Sequence, residues 1–451
     1  MKRCPPLYCL VTCLLLFISP IFADELVLYN PPPGIEAAND FELEVNGKKC
    51  FVYNSRAAAF ASFSFSGTVT IKVIIAGPVY NYDIRPLSRQ IKGSLYSNEI
   101  SFTLDKPENL SIEINKNIKR PLFIFANPLE TFIPDKKSPH TIYYEAGKVH
   151  MPGKVMLKSN QVVYIEGGAV VRGSFITDKG KDIKIIGRGI IDNHLYERGE
   201  TRPIEINQCN GVLLEGIILM ESKHWTCGSY ASQNVTYRNI KVVSANDWDD
   251  GIDIVGSQNI LVDNCFIFSK DDCIAIKAGI DYFNNPYNQL NVSNITIQNS
   301  TFWNGVWGNA LEIGFETRAD TIQQIVFKNC DIIHVEGPEG TFTIHNGDRA
   351  VVKNVLYEDI RVEDSRGYLI DFKILNSQYS KDKQRGYIRD IYFKNIQVEG
   401  DIFPTSVIMG FNEKHTINNV TLDNVRIHGR KVTSVHNGML TTIHADNIIY
   451  K

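Results

Sequence analysis

Two acidic pairs, Asp249-Asp250 and Asp271-Asp272, open the segments Asp249-Asp-Gly-Ile-Asp-Ile254 and Asp271-Asp-Cys-Ile-Ala-Ile276, 22 residues apart. An alternating apolar run, Asn259-Ile-Leu-Val-Asp-Asn264, lies between them. Such an offset is close to one turn of a parallel β-helix, where equivalent positions stack ~4.8 Å apart. The pairs would then occupy adjacent rungs of one sheet and face a common point. Carboxyls crowded in this way repel and desolvate one another, so one keeps its proton while another gives it up. Cleavage of a glycosidic bond needs that division: one carboxyl protonates the leaving oxygen, and another activates water or attacks carbon.

Aligning the strand starts on Ile254, Ile276, Ile313 and Ile344 extends the pattern. Asp250, Asp272, Asn309 and Gly340 fall in one column, and Asp249, Asp271 and Gly308 in the next. Asp253, Ala275, Glu312 and Thr343 form a third, expected to face outward because the flanking Ile and Leu residues face in. A lone Asp-Asp or Asp-Gly is most simply a turn that caps a strand. Two pairs in register, with Glu312 beside them, read better as a site. Trp225, Trp248, Trp303 and Trp307 could stack on sugar faces, although each alone is equally explained by packing.

The elements that would hold these columns are visible as an internal repeat. From about Tyr143 the unit Asn/Asp–apolar–x–apolar–x–Asn/Gly recurs at Asp182–Gly187, Gly211–Gly216, Asn234–Asn239, Asn259–Asn264, Asn294–Asn299, Gln324–Asn329, Asn354–Asp359, Asp390–Asn395 and Asn419–Asn424. Nine copies at spacings of 23 to 36 residues describe a solenoid. Period-2 alternation makes the units strands, and the recurrent Asn or Gly suits a tight left-handed turn. Stacked asparagines can also hydrogen-bond from rung to rung. An all-β chain is expected, with a right-handed parallel β-helix over 131–451. Asn234, Asn291, Asn294, Asn299 and Asn419 also begin N-x-S/T triplets, but ladder positions explain them better than glycosylation. The longest spacings follow Lys277 and Asp371. Loops Ala278–Leu290 (with Tyr282, Phe283 and Tyr287) and Asn376–Gly386 should therefore project and wall a groove.

Ahead of the solenoid, 24–130 carries short alternating runs such as Phe41–Val45, Val69–Ile75 and Leu110–Ile114, separated by turns such as Pro31-Pro-Pro-Gly34 and Asn46-Gly47. These predict an N-terminal β-sandwich, expected to pack on the catalytic unit rather than bind substrate. Residues 1–23 read as a secretory signal: Met1-Lys2-Arg3, an apolar core around Leu10–Ile21, and cleavage after Ala23. The run is too short for a membrane span. A secreted or periplasmic protein is expected, with a lipid anchor at Cys13 and the oligomeric state left open. A net charge of −3 offers no nucleic-acid surface. No CxxC or histidine cluster points to a metal or cofactor. Cys265 and Cys330 share a repeat position two rungs apart, too far for a disulfide; Cys209 and Cys227 could bridge.

The stretches Gly187-Arg-Gly-Ile-Ile-Asp192, Arg202-Pro203, Ser222-Lys-His-Trp225, Asp250-Gly-Ile-Asp-Ile254 and Asp271-Asp-Cys-Ile-Ala-Ile-Lys-Ala-Gly279 resemble the polygalacturonase family of β-helical glycoside hydrolases, in the pectinase superfamily. The order of sandwich then β-helix, with Val163-Tyr-Ile-Glu-Gly-Gly-Ala-Val170 at the solenoid entrance, is similar to the dextranase–isopullulanase family. The resemblance implies Asp271 as general acid, Asp250 and Asp272 positioning the water, and inversion at the anomeric carbon. A bare rung spacing of ~5 Å is nearer the retaining geometry. His224, Trp248, Lys277, Asn309, Glu312, Glu316 and Lys373 are the substrate-binding candidates.

Two departures bear on substrate. The family's Gly-His-Gly is Gly308-Asn309-Ala310 here, and its uronate-binding Arg-x-Lys is Asp371-Phe372-Lys373. A carboxylate at 371 should repel a uronate, and Glu312 and Glu316 suit hydroxyls. A neutral or only partly uronic polysaccharide or oligosaccharide is therefore expected, such as a dextran-like α-glucan. Two rivals are a polysaccharide lyase or epimerase on the same solenoid, with a basic residue and usually Ca²⁺, and a non-catalytic glycan-binding protein. No basic residue stands in the strand-start columns, which weighs against the first. Intact Asp250, Asp271 and Asp272 weigh against the second.

Overall fold

The computed structural model describes residues 25–279 and 290–451. The expected signal segment and the loop aromatics Tyr282, Phe283 and Tyr287 lie outside the described residues.

From Thr141 onward, thirty strands among the described residues form one continuous system; all but Arg430–Lys431, which pairs antiparallel with Ile417–Ile427, pair in parallel with their equivalents one coil away. Ile252–Val255 pairs with Ile274–Ala278, which pairs in turn with Leu311–Thr317, Gly340–Asn346 and Tyr368–Ile374. This is a right-handed parallel β-helix. Its core is built by like-on-like stacking: Ile254, Ile276, Ile313, Ile344 and Phe372 occupy one register column and are all fully buried. Each such side chain contributes roughly 1.5–3 kcal/mol of burial.

Both ends of all nine repeat copies adopt positive φ, from Asp182 (53°) and Gly187 (130°) to Asn419 (57°) and Asn424 (52°). Left-handed backbone costs an ordinary residue ~1–2 kcal/mol, and Asn, Asp and Gly bear it best. The asparagines also form the expected ladder. Asn294 Nδ2 donates to Asn259 Oδ1 (3.1 Å), Asn299 Nδ2 to Asp263 Oδ1 (2.8 Å) and Asn329 Nδ2 to Asn299 Oδ1 (2.8 Å). Asn447 (φ 55°) adds a further rung that the repeat reading had ended before, its amide donating to Asn419.

The N-terminal region contains two sheets. Lys48–Cys50, Phe41–Val45, Val69–Ile75, Glu99–Leu104 and Ser94–Tyr96 make one; Leu26–Leu28, Ala59–Phe65, Asn117–Pro128, Glu108–Ile114 and Tyr82–Arg85 make the other, with Tyr53–Asn54 alongside. An apolar core lies between them. The second sheet is buried on its far face as well, where Phe60, Phe123 and Phe125 pack against Phe266, Phe268 and Trp303 of the solenoid. Phe123 lies 4.8 Å from Phe266 and 5.8 Å from Trp303, ring centre to ring centre. Ions surround this contact: Arg85 bridges Glu113 (3.0 Å) and Glu363 (2.6 Å), and His334 Nε2 meets Glu113 Oε1 at 2.9 Å. The six described cysteines, Cys209 and Cys227 included, are free and buried.

Candidate active site

The site forms where the chain enters the strands Ile252–Val255, Ile274–Ala278, Leu311–Thr317 and Gly340–Asn346. Their register carries Asp250, Asp272, Asn309 and Gly340 into one column, and Asp249, Asp271, Gly308 and Glu339 into the next. One carboxylate oxygen from each of Asp250, Asp271 and Asp272 lies within 4.8 Å of the other two. They open onto a cleft of about 970 Å³ that also has Arg198, His224, Trp225, Trp248, Lys277, Trp307, Asn309, Phe315, Glu316 and Glu339 on its walls.

Each acid is held differently. Lys277 Nζ donates to Asp250 Oδ2 and Asp253 Oδ1, both at 3.0 Å. Asp272 Oδ1 accepts the backbone N–H of Asn309 (2.6 Å) and its Nδ2 (3.2 Å), while Asn309 Nδ2 also reaches Glu339 Oε2 (3.3 Å). Asp271 Oδ1 accepts the Asp272 N–H at 3.0 Å. Gly308 makes room for it: at φ +58°, a Cβ there would stand 2.4 Å from Asp271 Oδ1.

Burial, then the charge of Asp250, pushes the Asp271 carboxyl up to about 8. Burial and the neighbouring Asp250 and Asp271 hold Asp272 well above the usual carboxylate range. Burial alone would depress the Lys277 ammonium, but Asp250 and Asp253 overcome it and keep it protonated. His224 is pushed down to about 3 by burial and by Arg202 and Lys277, so it is a neutral wall of the cleft. Burial also raises Glu316 and Glu339. Lys277 Nζ lies 3.9 Å from the centre of the Trp225 ring, and the Arg198 guanidinium 3.5 Å from that of Trp248.

Of the binding candidates, His224, Trp248, Lys277, Asn309 and Glu316 line the cleft, whereas Glu312 and Lys373 are not on its wall. The third column points away from the apolar core, as its flanking Ile and Leu require, but it is covered: Asp253, Glu312 and Thr343 are fully buried. Glu312 accepts from the Thr343 hydroxyl and meets His345 Nδ1 at 3.1 Å. His345 Nε2 meets Asp371 Oδ2 at 3.3 Å, and Lys373 Nζ donates to the same oxygen at 2.7 Å. Although burial opposes it, this pair of carboxylates pushes His345 up to about 10. Asp371 is thus a buried charge compensated by His345 and Lys373, and it does not itself line the cleft. Trp303 is likewise withdrawn from sugar stacking, because it lies in the sandwich contact.

The loop after Asp371 does wall the cleft, through Ser377, Gln378, Tyr379 and Lys381. Phe315 stacks flat on His345 (4.4 Å, 6°) and leans on Tyr379 (5.6 Å). Sequence reasoning missed Arg198, Phe315 and Glu339. Glu339 had a signal, since the Asp249–Asp271–Gly308 column runs into it one rung further. Arg198 sits in an irregular loop outside any repeat and had none.

Comparison with known proteins places this geometry. The description "Glycosyl hydrolases family 28" matches residues 154–443. The polygalacturonase of Juniperus ashei is 22% identical over 244 residues, covering 48% of this chain and 44% of its own. Endopolygalacturonase B of Aspergillus niger is 27% identical over 173 residues, covering 36% and 42%. The chain therefore spans less than half the length of these relatives. Dex49A from Penicillium minioluteum superposes with a TM-score of 0.64 at 15% identity, over 93% of this chain and 96% of Dex49A. The family 28 exopolygalacturonase of Yersinia enterocolitica gives 0.52 at 14%, over 84% and 96%. At these identities the likeness establishes the fold, and coverage of 93% takes in the N-terminal sheets together with the solenoid. With the match running through well over half of the sequence, this chain belongs to glycosyl hydrolases family 28.

Proposed function

We propose that the protein is a glycosidase that hydrolyses a neutral or only partly uronic polysaccharide or oligosaccharide by acid/base catalysis on three aspartates. The observation that carries this reading is Asp271, a carboxyl with its pKa near 8, within 4.8 Å of Asp250 and Asp272 in an open cleft. At neutral pH Asp271 keeps a proton to give to the leaving oxygen. Asp250, anchored by Lys277, takes the proton of an attacking water, and Asp272, anchored by Asn309, orients that water. Direct attack by water inverts the anomeric carbon. Carboxyls this close leave less room than the ~6.5–9.5 Å usual for inverting enzymes, so the anomer first released, read by proton NMR, is a sharp test of the direct-water route.

The composition of the cleft supports a neutral sugar. Six carboxyls line it (Asp247, Asp250, Asp271, Asp272, Glu316 and Glu339), the last four pushed up by burial towards the protonated form, beside three cations, Arg198, Lys277 and Lys381. Lys277 is engaged by Asp250 and Asp253, and Arg198 lies over Trp248. Glu316 and Glu339 suit hydroxyl donors, while the half-exposed Trp248 and Trp307 offer stacking faces. The neutral-sugar reading thus rests on Glu316 and Glu339 rather than on Asp371. Lys277, held protonated by two carboxyls, is poorly suited to act as the base of an elimination.

A reducing-sugar assay of the purified protein tests this, on dextran, pullulan, other neutral glucans, galactans, homogalacturonan and rhamnogalacturonan. Release from a neutral glycan, abolished by Asp271→Asn, is expected. Release from homogalacturonan alone would overturn the neutral-substrate reading, and wild-type activity in Asp271→Asn would overturn the mechanism.

A further inference from the structure

Asp249 is fully buried beside the three aspartates, yet it does not line the cleft. Its carboxyl takes three backbone N–H groups as well as the Ser244 side chain. Oδ1 accepts the N–H of Lys270 (2.9 Å) and of Asp271 (3.1 Å), and Oδ2 accepts the N–H of Asn246 (2.8 Å). It therefore binds the main chain of the next rung at the residue that carries the proton. Asn246 is gripped in turn. Its Oδ1 accepts from Arg56 Nη1 (3.1 Å) and Lys223 Nζ (3.4 Å), and its Nδ2 donates to Glu221 Oε2 (3.5 Å). The other oxygen of Glu221 accepts the backbone N–H of Arg56 at 2.8 Å. Arg56 belongs to the sandwich, in the turn between Tyr53–Asn54 and Ala59–Phe65. A continuous chain of hydrogen bonds thus runs from the N-terminal sheets to the backbone of Asp271.

We propose that Asp249 is a positioning residue for Asp271, and that the sandwich holds it in place through Arg56 and Asn246. The proposal rests on the acid role assigned to Asp271 above. Hydrogen bonds to a carboxylate are stronger and more directional than those to a neutral turn residue, and fixing the Asp271 main chain fixes the direction of its Cα–Cβ bond. A displacement of ~1 Å at a reacting group costs on the order of 100-fold in rate. Burial pushes Asp249 itself up to about 7, so over the alkaline range it adds a negative charge to those facing Asp271, after Asp250 and opposed by Lys277. The sandwich is then part of the apparatus of proton delivery as well as a packing partner.

The test compares Asp249→Asn and Arg56→Ala with the full wild-type chain. An asparagine at 249 has one acceptor oxygen, so it cannot receive all three N–H groups; Arg56 is exposed, so its truncation leaves the core intact. Expected are a kcat loss of ~10–100-fold for Asp249→Asn and ~3–10-fold for Arg56→Ala, with KM changed less than about twofold. The alkaline limb of kcat/KM should move to lower pH in Asp249→Asn. A readout free of substrate is carbodiimide labelling of Asp271, followed by peptide mass spectrometry from about pH 5 to about pH 10. Its midpoint should fall in Asp249→Asn, and this holds even if no glycan is cleaved. Wild-type kcat and an unmoved midpoint in Asp249→Asn would overturn the proposal. So would a loss in both variants that merely tracks a lowered melting temperature.

Discussion

Asp271 and Asp371 are both carboxyls in a protein interior, and their neighbours give them opposite characters. Asp271 faces other acids, so burial and Asp250 push it up to about 8. Asp371 lies between His345 and Lys373, which overcome burial and hold it below the usual range. The first therefore carries a movable proton and the second a fixed charge. On the proposed mechanism the reaction needs protonated Asp271, so kcat/KM should fall as pH rises through a midpoint near 8, a sign opposite to that of an enzyme whose base is limiting. A steady-state pH profile checks this; activity that rises through that range would contradict the assignment. The acid pairs were legible in the sequence because rung spacing alone aligns them. The character of Asp371 was not, since it depends on His345 from the preceding rung and on how deeply the column is covered.

At the scale of the element, the repeat was readable because its strand ends demand left-handed backbone, and only a few residue types supply it cheaply. Asn299 does so at φ 53° while linking Asp263 to Asn329. Asn299→Ala should therefore cost ~2 kcal/mol, about half from conformation and half from lost hydrogen bonds. Asn299→Gly should recover the conformational half, and paired chemical denaturation curves separate the two. In the sandwich, Phe41–Val45 was legible because it alternates buried and less buried positions. Ala59–Phe65 went unread because every residue in it is buried: one face meets the other sheet and the other meets the solenoid. The strand's Ser62-Phe63-Ser64-Phe65 alternation gives no hint that the serine face is covered too, with Ser62 bonded to Asn127 and Ser64 to Tyr29. The fate of Trp303 was hidden for the same reason, since no local pattern reveals that a distant sheet covers it.

For the molecule as a whole, the sandwich–solenoid contact encloses a lysine. Lys241 is fully buried, donates to Asn127 Oδ1 and is held well below the usual ammonium range by burial. The sign follows from linkage: the unfolded chain binds this proton below about pH 10.4 and the folded chain resists it, so Lys241 weakens the fold more as pH falls. Lys241→Met should raise the melting temperature at pH ~7 by a few degrees, and the gain should shrink towards pH ~10. Asn127 Oδ1 keeps a donor in Asn239 Nδ2 at 3.2 Å, so no acceptor is stranded. Scanning fluorimetry at the two pH values decides it, and destabilisation at both would show that the amine is needed.

The aromatic face of the sandwich also has a schedule. Phe60, Phe123 and Phe125 leave the ribosome before their partners Phe266, Phe268 and Trp303. At ~5–20 residues per second, the chain from Phe125 to Trp303 takes roughly 10–35 s to make. Throughout that interval Phe60, Phe123 and Phe125 lack the solenoid partners that cover them in the folded chain. The burden of shielding these rings is set by the distance in sequence between two faces that end in contact, and not by the stability they reach once joined.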